Sequence, residues 1–431
     1  MRNWRAITSV AAGTVVFFVC LLPLRALMNY HEEHHLFRWT AYYFCEQWSS
    51  WEGIVEFWAS FVTQFFYVGW LGALLIALLV VAVQRATWLL MFLMRMRQGW
   101  LYPFSIVPAY LFFFFSFVPE RYMQEAVFRE VVEYDYLVRT QQWDTIVNKP
   151  ETEQNYSDLS VWSTNYALAM RGQLADFLFF YRQTGLKGLI DDGQQKEVLS
   201  YFTLSNIFLQ LGMVNNAERM AFDAKQYIPH NHKSGRIYRR LAETNLINGN
   251  YIIAAKYLNI LKSSLFYGRW ANSFLDHISD EAYIDKVYGH LRSLRVTESR
   301  NLISPYKDDL FLELVRHNKE NKLAWDYLMA YALLQLSLDK VAEYTKMAID
   351  AGYSHVPRAV QECILGNRLL HQEERPHINF EADENVEMIT KSFFHTFNET
   401  RDINNAQLSQ PPFSQTYWFY HSQYVLNRKK P

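Results

Sequence analysis

Three runs without a charged residue stand apart from the rest of the chain: Ala6 to Leu24, Phe57 to Val83 and Trp100 to Val118. As helices rising 1.5 Å per residue, each is long enough to cross a hydrocarbon core about 30 Å thick. The second run carries Phe65, Phe66, Tyr67 and Trp70 as an interfacial aromatic group. The third holds Pro103 and Pro108, which spanning helices tolerate. Past Val118 the pattern changes to the i, i+3, i+4 spacing of amphipathic helices. Val127, Val131, Tyr134 and Val138 make one apolar face, broken at Gln141-Gln142-Trp143-Asp144 before a short return helix that stops ahead of Pro150. Asp158–Met170 and Leu174–Tyr181 predict a hairpin turned at Gly172, and Gly185, Gly188 and Gly193 punctuate a loop. Trp270–Ile278, Glu281–Leu291 and Lys322–Gly352 continue the hairpin style, the last through a turn at Ser337-Leu338-Asp339 that has no glycine. Asp383–Phe397 is amphipathic through Val386, Ile389, Phe393 and Phe397. Arg401–Thr416, with Pro411 and Pro412, predicts a loop, and Tyr417–Leu426 a short aromatic helix that caps the stack.

Within this helical stretch, two consecutive segments share one design. Tyr201, Leu204, Ser205, Gly212, Ala217 and Ala224, with Phe208 and Pro229 completing the first copy, recur as Tyr238, Leu241, Ala242, Gly249, Ala254 and Leu261 in a copy that starts at Gly235, after an insertion around Asn231–Lys233. Small residues fall where two helices cross closely and large ones fill the layers between. Gly212 and Gly249 fall where a left-handed C-cap ends the first helix of each pair. The repeat length of about 34 residues resembles a tetratricopeptide (TPR) helical repeat, a fold that usually holds partners and does no chemistry. The expected fold is therefore all-α: three transmembrane helices (about 6–24, 57–83 and 100–118) within a membrane domain at 1–118, then a TPR-like α-solenoid at 119–375. Its clearest repeats are 198–231 and 235–268, and a C-terminal loop and capping helices occupy 376–431.

Flanking charge sets the expected topology. Arg2 and Arg5 precede the first run and Arg85, Arg95 and Arg97 follow the second, against Arg25 and Arg38 in the loop between. The positive-inside bias places the N-terminus in the cytoplasm and everything after Val118 outside, so the expected location is a bacterial inner membrane with a periplasmic C-terminal domain. A cleaved signal peptide is the rival for the first run. Leu24-Arg25-Ala26-Leu27-Met28 is a poor cleavage site, so an uncleaved anchor is expected. Ala86–Met94 is too short to span and continues the second helix or lies along the interface.

Composition narrows the chemistry. Hydrophobic residues make up 50% of the 431, yet mean hydropathy is only −0.14, which matches concentrated apolar segments joined to an ordinary polar domain. A net charge of −1 supplies no field to draw nucleic acid. Cys20, Cys45 and Cys363 form no C-x-x-C pair, though Cys45 and Cys363 could bridge in an oxidising compartment. His31-Glu32-Glu33-His34-His35 satisfies H-E-x-x-H. On one helix, His31 and His35 would share a face and could hold zinc with Glu32 as base, but no second motif supplies a third ligand, so they are weak metal candidates beside the plainer reading of a solvated turn. No nucleotide loop, nucleophile elbow or dinucleotide fingerprint is present, and no cofactor is expected.

In TPR-like repeats the first helix of each hairpin lines the concave face. Carried over, that face is Leu199, Phe202, Asn206, Leu209 and Gln210, then Arg236, Arg239, Glu243, Leu246 and Ile247. Arg236 and Arg239 beside Asn206 could clamp a carboxylate or an anionic peptide, or simply form a solvated face. Gln64-Phe65-Phe66-Tyr67 with Trp70-Leu71-Gly72-Ala73, Gly212 to Phe222, Arg240 to Gly249 and Lys256-Tyr257-Leu258 together resemble a family of uncharacterised multi-pass membrane proteins of Bacteroides-type bacteria with TPR-like extracytoplasmic repeats. The resemblance implies location and architecture only, and members can carry more spans. The expected function is a membrane-held scaffold for a protein or peptide partner. The alternative is a membrane enzyme or subunit in envelope glycan assembly, with Trp39, Tyr42, Tyr43, Trp48 and Trp51 as a substrate surface. The third is an H-E-x-x-H zinc hydrolase.

Overall fold

A computed structural model describes residues 3–96, 98–150, 157–191, 197–228, 233–296, 307–370 and 380–428. Arg2, Arg97, Gly193, Pro229, Asn231 and the boundary expected at 375–376 lie outside the described residues. Among the described residues every regular element is helical. The chain forms two compact units.

The first unit comprises 1–136, 196–202 and 218–288. Its three long apolar helices, Trp4–Leu21, Gly69–Leu93 and Gly99–Phe117, meet the length and composition needed to cross a membrane. Val16, Cys20, Ala73, Ile76, Val80 and Ala109 are buried between them. The uncharged run from Phe57 to Val83 is not one helix. Helix Trp51–Thr63 runs into a 3-10 turn at Gln64–Tyr67, and the long apolar helix begins at Gly69 and extends through Ala86 to Leu93. Two side-chain hydrogen bonds hold the break, one from nearby in sequence and one from far away. Gln64 Nε2 donates back to the Phe61 carbonyl at 2.9 Å, and Arg25 Nη1 donates to the Phe66 carbonyl at 2.9 Å. At one end of the bundle the Arg5 guanidinium lies over Trp88 and Tyr102, and that of Arg85 also over Tyr102. Residues 22–68 and the chain after Phe117 leave from the other end. There, helix Arg25–Glu33 buries Glu32 and Glu33, and two short helices, Ala41–Gln47 and Trp51–Thr63, begin at the N-caps Thr40 and Ser50.

The hairpin Gly235–Asn248 and Tyr251–Leu261 belongs to this unit. Ser234 accepts from the Ile237 amide, and Gly249 closes the first helix with φ +78°, as a left-handed cap requires. Ala242 and Ala254 are fully buried, so the small positions sit inside as the pattern predicts. Arg236 ties the hairpin to two distant carboxylates. Its Nη1 lies 2.9 Å from Glu33 and 2.7 Å from Asp135 Oδ2, and its Nη2 3.0 Å from Asp135 Oδ1.

The second unit comprises 137–195, 203–217 and 289–431. Its hairpin turns share one device, a single residue in the left-handed region: Gln141 (φ +55°), Gly172 (φ +65°), Gly212 (φ +89°) and Leu336 (φ +59°). Ser205 Oγ donates to the Ala217 carbonyl at 2.8 Å, the close approach a small residue permits. Asn321 caps helix Lys322–Leu334 by accepting from the Ala324 amide, while its Nδ2 donates to the Leu211 carbonyl at 3.0 Å. Helix Glu384–Thr400 buries Val386 and Phe393. The terminal helix Tyr417–Arg428 docks on helix Arg358–Leu370: the Tyr417 amide donates to Glu362 Oε2 at 2.8 Å and Trp418 Nε1 to the Glu362 carbonyl at 2.6 Å.

Candidate functional site

Helix Lys322–Leu334 is apolar along most of its length, so it buries nearly all round. Lys322, Trp325, Asp326 and Met329 share one face at i, i+3, i+4 and i+7. That face lines a cavity of about 700 Å³ within the second unit, inside the range of ligand pockets. Ala175 and Asp176, from helix Leu174–Phe177, line it too. Gly352 to His355, after helix Leu338–Asp350, complete the lining. The aromatic part is held rigidly. Trp325 Nε1 donates to the Lys319 carbonyl at 2.9 Å, Tyr353 Oη donates to the same oxygen at 3.1 Å, and the two ring centres lie 5.6 Å apart.

The two carboxylates of the cavity differ in their surroundings. Asp176 accepts from the Arg358 backbone amide at 2.8 Å and pairs with His355 Nε2 at 3.0 Å. Asp326 has no cation paired with it among the described residues. Burial pushes its carboxyl up to about 7, with the Asp176 charge adding to the rise and His355 opposing it. Near neutrality, then, Asp326 is divided between its acid and its anion. It can take a cationic group by releasing a proton, or donate a proton to an incoming base.

The residues expected on the concave face of the repeat pair lie elsewhere. Leu199, Phe202, Leu209, Leu246 and Ile247 are buried, and Asn206 and Gln210 half-buried. The guanidinium of Arg236 lies 4.1 Å from the Phe202 ring centre and is bound to Glu33 and Asp135. Arg239 donates to Glu243 at 2.9 Å and lies over Trp270. The structure brings Arg236 and Phe202 together, but around an internal ion network. The H-E-x-x-H residues are also spoken for. The helix ends at Glu33 with His34 as its C-cap, so His31 and His35 do not share a helical face. His31 Nε2 donates to the Phe117 carbonyl at 2.9 Å, and burial brings its pKa down to about 4. His35 Nδ1 lies 2.9 Å from Glu56, and Glu32 accepts from Tyr267 Oη at 2.8 Å. Among the described residues no group of three His, Cys, Asp or Glu side chains is placed to hold a metal ion. Cys20, Cys45 and Cys363 are free thiols.

Nothing in the linear sequence announces the cavity, because its walls come from three separated segments. The one available signal was Asp326, a lone carboxylate in the otherwise apolar stretch Leu323 to Leu334. No curated protein and no solved structure matches the chain. A family profile does, over residues 2–129 and 119–423, nearly the whole length, and the chain therefore belongs to the family of unknown function (DUF6057).

Proposed function

We propose that this is an integral inner-membrane protein whose TPR-like helical region, on the periplasmic side, binds a protein or peptide partner without catalysing a reaction. The observation that carries the reading is the face Lys322-Trp325-Asp326-Met329. It is the first helix of a hairpin presenting basic, aromatic, aliphatic and acidic groups to a cavity of about 700 Å³, as TPR-like grooves do. The chemistry selects the ligand. Trp325, Tyr353 and Met329 suit an aliphatic stem, and Asp326 with Asp176 suits a cationic tip, so the partner segment carries an arginine or lysine. Arg5, Arg85 and Arg95 flanking one end, against Arg25 and Arg38 in the loop between the first two spans, support placing that loop outside the cytoplasm.

The test is a binding isotherm on the full chain in detergent, using a tripeptide with a central arginine and its citrulline analogue. The reading expects arginine to bind at least about tenfold better, for a charge-assisted contact of roughly 1.5–3 kcal/mol, and expects Asp326→Asn to erase the difference. Equal binding of the two peptides sinks it. The second reading, an enzyme of envelope glycan assembly, draws on one observation: a carboxyl poised near neutral beside a second carboxylate is what a general acid requires. Turnover that is lost in Asp326→Asn would favour it.

A further inference from the structure

A second cavity, of about 790 Å³, lies within the first unit against the short helices Ala41–Gln47 and Trp51–Thr63. Its lining is divided by charge. Glu46, Glu52 and Glu56 come from the two helices, and Lys233 from the segment before Ser234. Glu56 is committed to His35. Glu46 has only Arg38, with 3.7 Å between Nη2 and Oε2, and Glu52 has no ion pair among the described residues. Arg38 stacks over Tyr43 of the lining, and its Nε and Nη2 atoms are buried without a hydrogen-bond partner. Buried donors of this kind need an acceptor. Burial and the nearby Arg38 charge both push the Lys233 ammonium below its usual value. Arg38 and Glu46 therefore face each other, and the site is left with one cation, Lys233, and one carboxylate, Glu52, that have no ion pair among the described residues.

From Trp51 and Val55 of the lining, an exposed apolar stripe runs on to Trp58. Trp51, Val55 and Trp58, at i, i+4 and i+7, are 76%, 53% and 54% exposed. Trp70, in the first turn of the span that follows, is exposed as well. Tryptophans lined up at a span's mouth are the chemistry of a bilayer interface.

We infer that this cavity binds the phosphoethanolamine headgroup of a phospholipid from the bilayer that holds the spans. The phosphate would be taken by Lys233 and the ammonium by Glu52, with the acyl chains leaving over Trp51, Val55 and Trp58. The zwitterion supplies the missing anion and the missing cation together, which neither an anionic lipid nor a free cation does. The exposed stripe gives the chains a greasy path out.

The experiment is native mass spectrometry of the delipidated full chain titrated with phosphatidylethanolamine and phosphatidylglycerol of identical acyl chains. Wild type is expected to retain the ethanolamine lipid about tenfold better, the worth of one charge-assisted contact. Glu52→Gln should bring the two lipids within about twofold, and Lys233→Met should weaken both. Circular dichroism and size-exclusion profiles matching wild type identify the variants that have folded. Equal retention of both lipids by wild type overturns the inference, as does a preference that survives Glu52→Gln. Displacement by millimolar O-phosphoethanolamine in water overturns the role of the chains and with it the lipid assignment.

Discussion

Replacing Arg236 by methionine tests how the helical hairpin at 235–261 is fastened to the juxtamembrane helix. The substitution keeps most of the side-chain stem over Phe202 and removes only the guanidinium. Three contacts of 2.7 to 3.0 Å are lost. Two carboxylates are left behind, Glu33 at 0% and Asp135 at 2% exposure. Breaking a buried ion pair by removing one partner costs roughly 3–5 kcal/mol. The escape route is no cheaper. Protonating a glutamate of ordinary pKa near 4.3 at pH 7 costs about 3.7 kcal/mol, at 1.36 kcal/mol per unit. The two figures agree, so a loss of about 3–5 kcal/mol is expected, read by chemical denaturation of the full chain in detergent at pH 7. Arg236→Lys keeps the charge but loses the two-pronged grip on Asp135, and should fall between wild type and methionine. The triple change Glu33→Gln, Asp135→Asn, Arg236→Met removes the stranded charges and should recover much of the loss. A methionine variant within about 1 kcal/mol of wild type would refute the idea that this network is a fastening.

Three further outcomes follow from particular residues. Gly249 has φ +78° and open space where a Cβ would stand, so Gly249→Ala should cost only the left-handed penalty of about 1–2 kcal/mol. At Gly212 (φ +89°) the added Cβ would lie 2.3 Å from the Leu294 carbonyl oxygen, so Gly212→Ala should cost clearly more in the same denaturation assay; equal losses would argue against that close approach. Asp326 carries a folded-state pKa near 7 against an ordinary value of 3.8. The folded state thus holds the proton more tightly, and stability falls as pH rises from about 4 through 7, by up to about 4 kcal/mol. Asp326→Asn should flatten this dependence and melt higher than wild type at pH 8 but not at pH 4; a parallel pH profile for both proteins would contradict it. Dialysis against zinc followed by elemental analysis should find no stoichiometric metal that depends on His31, whose Nε2 is held by the Phe117 carbonyl; an equivalent of zinc lost in His31→Ala would restore the metal reading.

Features written in local sequence were legible, and those assembled from distant segments were not. Gly172, Gly212 and Gly249 announce their turns because only glycine enters the left-handed region at little cost. The turn before Leu338 is also readable, at Ser337-Leu338-Asp339, but its left-handed residue, Leu336 (φ +59°), is not, since a leucine gives no such warning. The three apolar helices were readable from the lack of charge. The break at Gln64–Tyr67 was not, because it depends on Arg25 reaching a carbonyl 41 positions away. The same limit hid the network of Glu33, Asp135 and Arg236. Arg236 reads locally as a surface cation, and only tertiary packing sets it against a carboxylate 101 positions distant. Asp326 is the intermediate case. Its oddity in an apolar helix is local, but the His355 and Asp176 that give it meaning come from elsewhere in the chain.

The most direct test of a partner-binding groove uses a photoreactive amino acid at Lys322, on the exposed rim of the cavity, with a second at Ile252, on an exposed helix outside it, each in the full chain in its native membrane. The account predicts one discrete adduct from Lys322, competed away by an arginine peptide, absent in an Asp326→Lys background and absent from Ile252. No adduct from Lys322, or the same adducts from both positions regardless of Asp326, would contradict it.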